Sequence, residues 1–561
     1  METTDKEVCN ILVDVMSAHG VRHVVLSPGS RNAPLLVAFA RRDDIRKFVI
    51  VDERSAAFAA LGIARQLNEP VAVVCTSGTA LLNYAPAVAE AYYQKLPLIV
   101  VSADRPAEWI DQDDSQTIRQ FEALSRFVKK SYDLPARCSD DTARWFVNRL
   151  ANDAMIEATS GCVAPVHINV QLDEPLANLS DYSGHQRIIG QVAPSPSLSA
   201  ADMDMLLREA AGKDILVIAG FGEKDSTLES GLERLASLPN VAVLTETIAN
   251  LHSPLFIKAV DRTLLAMKRG GEDDYKPGLL ITIGGAIVSR IVKTFLRKYR
   301  AAVQWHVGVT ATTVDCMQTL TKRIQIAPGA FFRQFSEAYL ELPPAASDYA
   351  KKWHRLEAEG RVRHERYLDS VGWSDLKAFS RIIHSLPENC RLQLSNGTSI
   401  RYAQLFGDSI RQDSFCNRGV SGIDGSTSTA LGASLVYDGV MVLITGDMSF
   451  SYDLSGLASQ YNSDRFKIIV MCNGGGGIFR FIKSTSELPE LERYFEVRRD
   501  IPVDRYAGAF GFKYFEAVSE DSLAAVLPAF WAYDGGAAIL AVKTDNVESA
   551  EILKNYFKRQ K

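Results

Sequence analysis

The chain has 561 residues, too many for one hydrophobic core, and at about 150 residues per domain it divides into three or four. Its 62 Lys and Arg against 67 Asp and Glu leave a net charge of −5, too small and too evenly mixed for the electrostatic footprint of a nucleic-acid or membrane-surface binder. No apolar run approaches the roughly 18 residues of a spanning helix, which argues against membrane insertion. The start at Met1-Glu2-Thr3-Thr4-Asp5-Lys6-Glu7 has no signal-peptide pattern, and eight scattered cysteines with no CxxC pair suit the reduced thiols of a cytoplasmic protein.

In chain order, hydrophobic spacing predicts a helix from Ile11 to Ala18 and a strand from Val21 to Leu26 that ends in Ser27-Pro28-Gly29-Ser30-Arg31. Asn32 is placed to cap the next helix, with Pro34 in its first turn. A glycine-containing turn feeding a helix start is an anion site, to which Ser30 adds a hydroxyl and Arg31 a guanidinium fork. Taken alone, the same residues also read as an ordinary capped turn. Lys47 to Val51 is the next strand, and Glu53 stands at its carboxyl end, before an Ala-rich helix from Ser55 to Gln66. There it can serve as a helix-start carboxylate or pair with Arg54. Val71 to Cys75 is a strand turning through Thr76-Ser77-Gly78-Thr79 into a helix from Ala80 to Gln94. Leu98 to Ser102 ends in Ala103-Asp104-Arg105, and Ser115-Gln116 with Ile118-Arg119-Gln120 is expected to open a further helix.

A proline-bearing stretch, Asp173 to Ser199, marks a first boundary. Beyond it, Ile215–Ala219, Val241–Thr245, Leu279–Ile283 and Val303–Val307 are short apolar strands of a second α/β unit. Its Gly220-Phe221-Gly222 lacks the third glycine of a dinucleotide turn and is a weak signal. The charged run from Lys351 to Asp369 is expected as a solvated connecting helix. A third unit begins near Trp373 and closes on a strand from Ala538 to Val542. The fold class is therefore α/β, with three consecutive doubly wound domains over residues 1–180, 195–342 and 373–561.

Within the third unit an apolar run, Val440 to Ile444, reaches Thr445-Gly446-Asp447. After a helical stretch from Asp453 to Asn462, a second apolar run, Phe466 to Met471, leads to Cys472-Asn473 and four glycines. A right-handed βαβ crossover returns its second strand parallel to the first, so Asp447 and Asn473 belong on one edge of the sheet. A carboxylate, a carboxamide and unhindered glycine backbone suit Mg²⁺, which takes one or two side-chain oxygens and leaves phosphate and water to complete about six ligands.

Gly446-Asp447, this spacer and then Asn473-Gly474 resemble the diphosphate-and-metal motif of the thiamine diphosphate enzymes. Gly475-Gly476-Gly477-Ile478-Phe479, with Ser27-Pro28-Gly29-Ser30-Arg31 followed by Pro34-Leu35, is similar to one branch. That branch is the menaquinone-pathway synthases that make 2-succinyl-5-enolpyruvyl-6-hydroxy-3-cyclohexene-1-carboxylate. Two departures stand out: Cys472 occupies the place of a first asparagine, and Gly397 one where the family often has serine.

The resemblance implies a transferase that decarboxylates 2-oxoglutarate and adds the succinyl carbanion equivalent to isochorismate, with thiamine diphosphate and Mg²⁺ or Mn²⁺ as cofactors. It implies Asp447, Asn473 and Gly475 as metal ligands, and Glu53 as the carboxylate at N1′ of the cofactor's aminopyrimidine. Ser77, Gly78, Thr79, Gly446, Met448, Ser449 and Ile478 are the remaining cofactor contacts, and Ile423 is the aliphatic wedge that bends the cofactor. For the dicarboxylate substrates it implies Arg401 and Arg418 at the succinyl end and Ser30, Arg31, Arg105 and Gln116 for isochorismate, Gln116 counted with Glu53 and Ile423 as catalytic. Arg290 and Phe479 are further substrate candidates. Ile423, Ile478 and Phe479 also read as ordinary core residues. None of the nine histidines falls in these motifs, which favours carboligation over simple decarboxylation. The family's split site implies a homodimer or a dimer of dimers. The alternatives are another thiamine diphosphate-dependent 2-oxoacid decarboxylase or carboligase, or a cofactor-binding module without catalysis.

Overall fold

The computed structural model describes residues 2–192 and 197–558, the Lys483 side chain excepted. Pro194 and Pro196 of the expected linker lie outside the described residues. β1 (Glu2–Thr4) pairs antiparallel with β8 (Leu179–Asp181), which falls inside that linker. Between them run β2 (His23–Leu26), β3 (Arg46–Val49), β4 (Val71–Cys75), β5 (Leu98–Asp104), β6 (Ser131–Leu134) and β7 (Val166–Gln171). These form a sheet of order β3-β2-β4-β5-β7-β6 with every adjacent pair parallel. Every residue of β4 and β5 is buried, as expected of parallel strands covered by helices on both faces.

The middle sheet holds β9 (Ile215–Ala219), β10 (Val241–Thr245), β11 (Leu279–Ile283), β12 (Val303–Val307) and β13 (Lys322–Ile324), ordered β10-β9-β11-β12-β13 and all parallel. The first four match the apolar runs in the sequence residue for residue. The third sheet contains β14 (Cys390–Leu394), β15 (Ser414–Cys416), β16 (Val440–Gly446), β17 (Phe466–Cys472), β18 (Lys513–Ala517) and β19 (Ala538–Lys543), ordered β15-β14-β16-β17-β19-β18. Each sheet has a switch point, between β2 and β4, β9 and β11, and β14 and β16, and in the outer two the chain steps back once more to insert β7 and β19; loops at such switch points are where doubly wound folds bind ligands.

Contacts divide the described residues into two compact units. One comprises those within Met1–Ala193, Gly419–Met441 and Tyr452–Phe466; the other, those within Pro194–Arg418, Val442–Ser451 and Lys467–Lys561. In the first, the helix Ser426–Ser434 crosses the helix Glu53–Leu67 closely enough that a Cβ on Gly62 would strike the Thr429 carbonyl, and one on Gly432 the Ala59 carbonyl. In the second, the helix Tyr349–Ser370 buries Tyr349, Trp353, Leu356, Gly360 and His364, a stripe at helical spacing. This corrects the expectation of a solvated connector: the charges occupy only its outer face.

Other expectations change as well. Residues 115–120 open no helix; after a short 3₁₀ turn at Ala107–Trp109 the segment continues as turns as far as β6. Between β16 and β17 the helix begins at Asp447 itself and ends at Tyr452, followed by a 3₁₀ turn at Leu454–Ala458 rather than a helix from Asp453 to Asn462. Asn32 makes no side-chain cap; its Nδ2 donates to the Ser27 carbonyl at 2.8 Å and holds the preceding turn.

Candidate active site

In the first unit, Glu53 is the first residue of the helix Glu53–Leu67, as a helix-start carboxylate would be, but it neither caps the helix nor pairs with Arg54. Asp52 caps the helix, its Oδ1 accepting Ser55 N at 3.0 Å. Arg54 turns to the Tyr452 carbonyl at 3.0 Å and to Asp453. Ile423 is 41 % exposed, which excludes a core isoleucine. Its chain leads through Gly425, φ +71°, where a Cβ would meet the Phe58 ring. Glu90 grips this segment from the helix Ala80–Gln94, its carboxylate accepting Gly419 N at 2.6 Å and Val420 N at 2.7 Å.

Ser77-Gly78-Thr79 forms the turn after β4, and Gly78 has φ +84°, a conformation that favours glycine. Gln116, itself at φ +59°, lies over this turn and donates from Nε2 to the Ser77 carbonyl at 3.1 Å. Gln120 is 1 % exposed; it accepts Gly78 N at 2.7 Å and donates to the Ala103 carbonyl at 3.0 Å, so the structure adds it as a support of the turn. Arg31 donates to the Leu172 carbonyl at 3.0 Å and pairs with Glu174 at 3.1 Å, while Arg105 pairs with Asp114. Burial, and then the like charge of Arg105, lower Arg31 from its ordinary value; Glu174 and Asp114 oppose them. Ser30 is exposed in the same turn.

In the second unit, Asp447 follows β16 and Asn473 follows β17, and the two strands are neighbours. Asp447 Oδ2 accepts Gly474 N at 2.9 Å and Gly475 N at 3.1 Å, and Oδ1 accepts Met448 N at 2.7 Å. The carboxylate and the glycine turn are thus brought together. Burial pushes Asp447 up to about 7, against the N–H groups of Gly474 and Met448, with Asp375 adding to the rise. Asn473 Nδ2 donates to Asp375 Oδ2 at 2.9 Å, which directs the carboxamide nitrogen away and keeps its oxygen for another partner. Gly474 and Gly475 have φ +87° and +149°, and a Cβ on Gly475 would meet the Glu496 carbonyl at 2.6 Å.

A carboxylate, a carboxamide oxygen and a glycine carbonyl suit a hard cation that a diphosphate also ligates. Gly446, Met448 and Ser449 sit at the start of the helix Asp447–Tyr452. Ile478 and Phe479 are half-buried at the far side of the glycine turn, with Phe479 against Phe495 at 5.8 Å between centroids.

The same unit gathers arginines. Arg418 Nη1 donates to Asn396 Oδ1 at 3.0 Å, and Arg401 Nη1 donates to the carbonyl of the next residue, Gly397. Gly397 has φ +96°, a backbone reason for glycine in place of serine. Burial and then Arg418 lower Arg401 from its ordinary value; Asp261 opposes them and Arg290 adds to them. Arg290, the first residue of the helix Arg290–Lys298, is exposed, and its charge reaches Arg401. Gly220-Phe221-Gly222 does not form a phosphate turn: Gly220 packs on the Gly285 carbonyl, and the Phe221 ring fills the space a Gly285 side chain would need.

The sequence reading missed Asp375, Glu174 and Asp114, each partnering a residue it had named, and it placed Gln120 only in an expected helix. Asp375 carried one local sign, its place at the start of the amphipathic helix Asp375–His384.

Residues 6–123 match the model of the thiamine pyrophosphate enzyme N-terminal TPP binding domain. Over 562 residues the chain is 42 % identical to a 2-succinyl-5-enolpyruvyl-6-hydroxy-3-cyclohexene-1-carboxylate synthase of Porphyromonas gingivalis, covering 99 % of this chain and 97 % of that one. Proteins of the same name from Flavobacterium johnsoniae and Bacteroides fragilis are 39 % and 35 % identical, over 98 % and 100 % of both chains.

Proposed function

The chain belongs to the 2-succinyl-5-enolpyruvyl-6-hydroxy-3-cyclohexene-1-carboxylate synthases, thiamine diphosphate-dependent transferases of menaquinone biosynthesis, and on that premise we propose its substrates and the roles of its residues. It decarboxylates 2-oxoglutarate and adds the succinyl carbanion equivalent to isochorismate. The observation that carries the substrate reading is the gathering of Arg401 and Arg418 on the Asn396-Gly397 turn with Arg290 in charge reach, since paired guanidinium forks suit a carboxylate distant from the reacting carbon.

Bound thiamine diphosphate supplies the carbon nucleophile that 2-oxoacid decarboxylation requires. Glu53 holds the proton shared with N1′ of the aminopyrimidine. Asp447, the Asn473 carboxamide oxygen and the Gly475 carbonyl hold Mg²⁺ or Mn²⁺. Ser77, Gly78, Thr79, Gly446, Met448, Ser449 and Ile478 contact the cofactor, with Ile423 packing against it. Ser30, Arg31, Arg105 and Gln116 orient isochorismate, and Phe479 covers the succinyl chain. Residues 1–180, 195–342 and 373–561 act as pyrimidine-binding, middle and diphosphate-binding domains of a cytoplasmic homodimer or dimer of dimers.

Incubation with thiamine diphosphate, Mg²⁺, 2-oxoglutarate and isochorismate, with mass detection of the adduct, tests the reading. Equal turnover of pyruvate points instead to a different carboligase. Cofactor binding without turnover of either oxoacid points to a module that has lost catalysis.

A further inference from the structure

Two buried acids of the middle sheet stand behind the arginine cluster. Glu246 follows β10 directly and is 2 % exposed; Asp261 lies in the helix Val260–Leu265 and is 7 % exposed. Glu246 Oε2 accepts Val288 N and Oε1 accepts Ser289 N, both at 2.7 Å. The Ser289 hydroxyl donates to Asp261 Oδ1 and accepts Val292 N at 3.0 Å, capping the helix that begins at Arg290. The residue immediately before Arg290 is therefore held by one carboxylate through its backbone and by the other through its side chain.

The same two segments are pinned to the helix Ser399–Leu405, which carries Arg401. Thr247 N donates to Gln404 Oε1 at 3.1 Å, and Arg262 donates to the Leu405 carbonyl at 3.4 Å and to Asp408 at 2.6 Å. Burial pushes Glu246 up to about 7 and Asp261 up to about 6; the N–H groups of Val288 and Ser289 pull Glu246 back, Asp261 adds to its rise and Arg418 opposes it last, while the Ser289 hydroxyl, Arg401 and Lys293 pull Asp261 back. Arg401 and Arg418 are half-buried and Arg290 is exposed, so repulsion is screened least between the first two, and ionised acids behind them offset it. Where both acids are ionised, three arginines and Lys293 still leave positive charge for an incoming anion.

We propose that Glu246 and Asp261 are positioning residues that hold Arg290, Arg401 and Arg418 as one carboxylate-binding cluster and thereby set the preference for a 2-oxoacid with a distal carboxylate. This deepens the proposed function and rests on it, because it assigns the cluster to the succinyl end of the substrate. The middle sheet then acts in substrate selection through its switch-point loops.

The test uses the full chain with thiamine diphosphate and Mg²⁺, comparing the unmodified protein with Glu246→Gln, Asp261→Asn and the charge-retaining Glu246→Asp. Kinetics with 2-oxoglutarate and with pyruvate are read beside calorimetric titration with succinate. The amide variants are expected to raise KM for 2-oxoglutarate about tenfold and weaken succinate by a similar factor, with kcat and the pyruvate KM little changed and Glu246→Asp partly restored. Unchanged KM and succinate affinity in folded amide variants overturn the proposal, as does an equal rise of KM for both oxoacids, the mark of a merely structural role. Should both amide variants fail to fold, Ser289→Ala breaks the Asp261 link alone, and unchanged succinate affinity there overturns the proposal. Failure of the functional reading is separately visible, because the unmodified protein then does not turn over 2-oxoglutarate.

Discussion

Glu53 stands in the first turn of its helix without capping it or pairing with its neighbour: the cap belongs to Asp52, and Arg54 is engaged with Tyr452 and Asp453. Glu53→Gln should therefore leave the fold intact while lowering kcat by about 10² to 10⁴, the range of a lost acid–base group. Hydrogen–deuterium exchange at thiazolium C2 of bound cofactor, with circular dichroism as the fold control, checks it; unchanged exchange removes Glu53 from the chemistry. Asp375 is the complementary case. It accepts the Asn473 amide at 2.9 Å and the Thr544 hydroxyl at 2.5 Å, and its N–H donates to Ser549. An asparagine in its place cannot accept from both through one oxygen, so Asp375→Asn should free the Asn473 carboxamide to turn. Mn²⁺ affinity in the presence of thiamine diphosphate, followed by paramagnetic resonance, should fall about tenfold with the fold retained; undiminished affinity would leave Asp375 without a part in metal binding. Asp447 and Asn473 were legible because each ends an apolar run, whereas Asp375 was not, because its link to Asn473 spans 98 positions and exists only once the chain folds.

At the scale of elements, the crossing of the helices Glu53–Leu67 and Ser426–Ser434 leaves no room for a side chain at its centre. Gly432→Val would drive a branched side chain into the Ala59 backbone, which cannot rotate away, and should destabilise by about 1 to 3 kcal/mol or more. Gly508→Ala, in the helix Val503–Ala509 where a Cβ would meet nothing within 4 Å, should instead stabilise by about 0.5 to 1 kcal/mol. Urea denaturation of both variants reads the contrast, and equal effects would refute the packing argument. β9 to β12 were legible residue for residue because buried parallel strands are short apolar runs bounded by polar turns. β13, β15 and β18 were not: Lys322–Ile324 and Ser414–Cys416 are three-residue edge strands, and Lys513–Ala517 is largely unburied and charged. The turns at 115–120 read as a helix because that local spacing permits one, but Gln116 and Gln120 are spent on the Ser77-Gly78 turn.

At the scale of the whole molecule, several buried carboxyls titrate high. Burial pushes Asp104, Asp261 and Asp453 up to about 6 and Glu246 to about 7, above the ordinary 3.8 and 4.5. With folded values above unfolded ones, the native state binds more protons in between, so this contribution is fully present below about 4 and is lost as pH rises through about 6 to 7. Cofactor-free protein should show its melting temperature falling from pH 5 to pH 8, and Glu246→Gln should shallow that fall; an identical slope in the variant would contradict it. The proposed split site is tested by mixing inactive Glu53→Gln and Asp447→Ala subunits, which should regain partial activity; none after verified subunit exchange would place each site within one chain. By itself the sequence determined the α/β class, the strands of the middle sheet and the order of the cofactor motifs, because hydrophobic period and turn residues are local properties. Only the tertiary structure decided that Asp375 holds Asn473, that Glu90 grips the segment leading to Ile423, and that Glu246 and Asp261 hold Ser289, the residue before Arg290. Those are contacts between distant stretches of chain, and a buried charge acquires its partner only when packing has removed the water that would otherwise have served it.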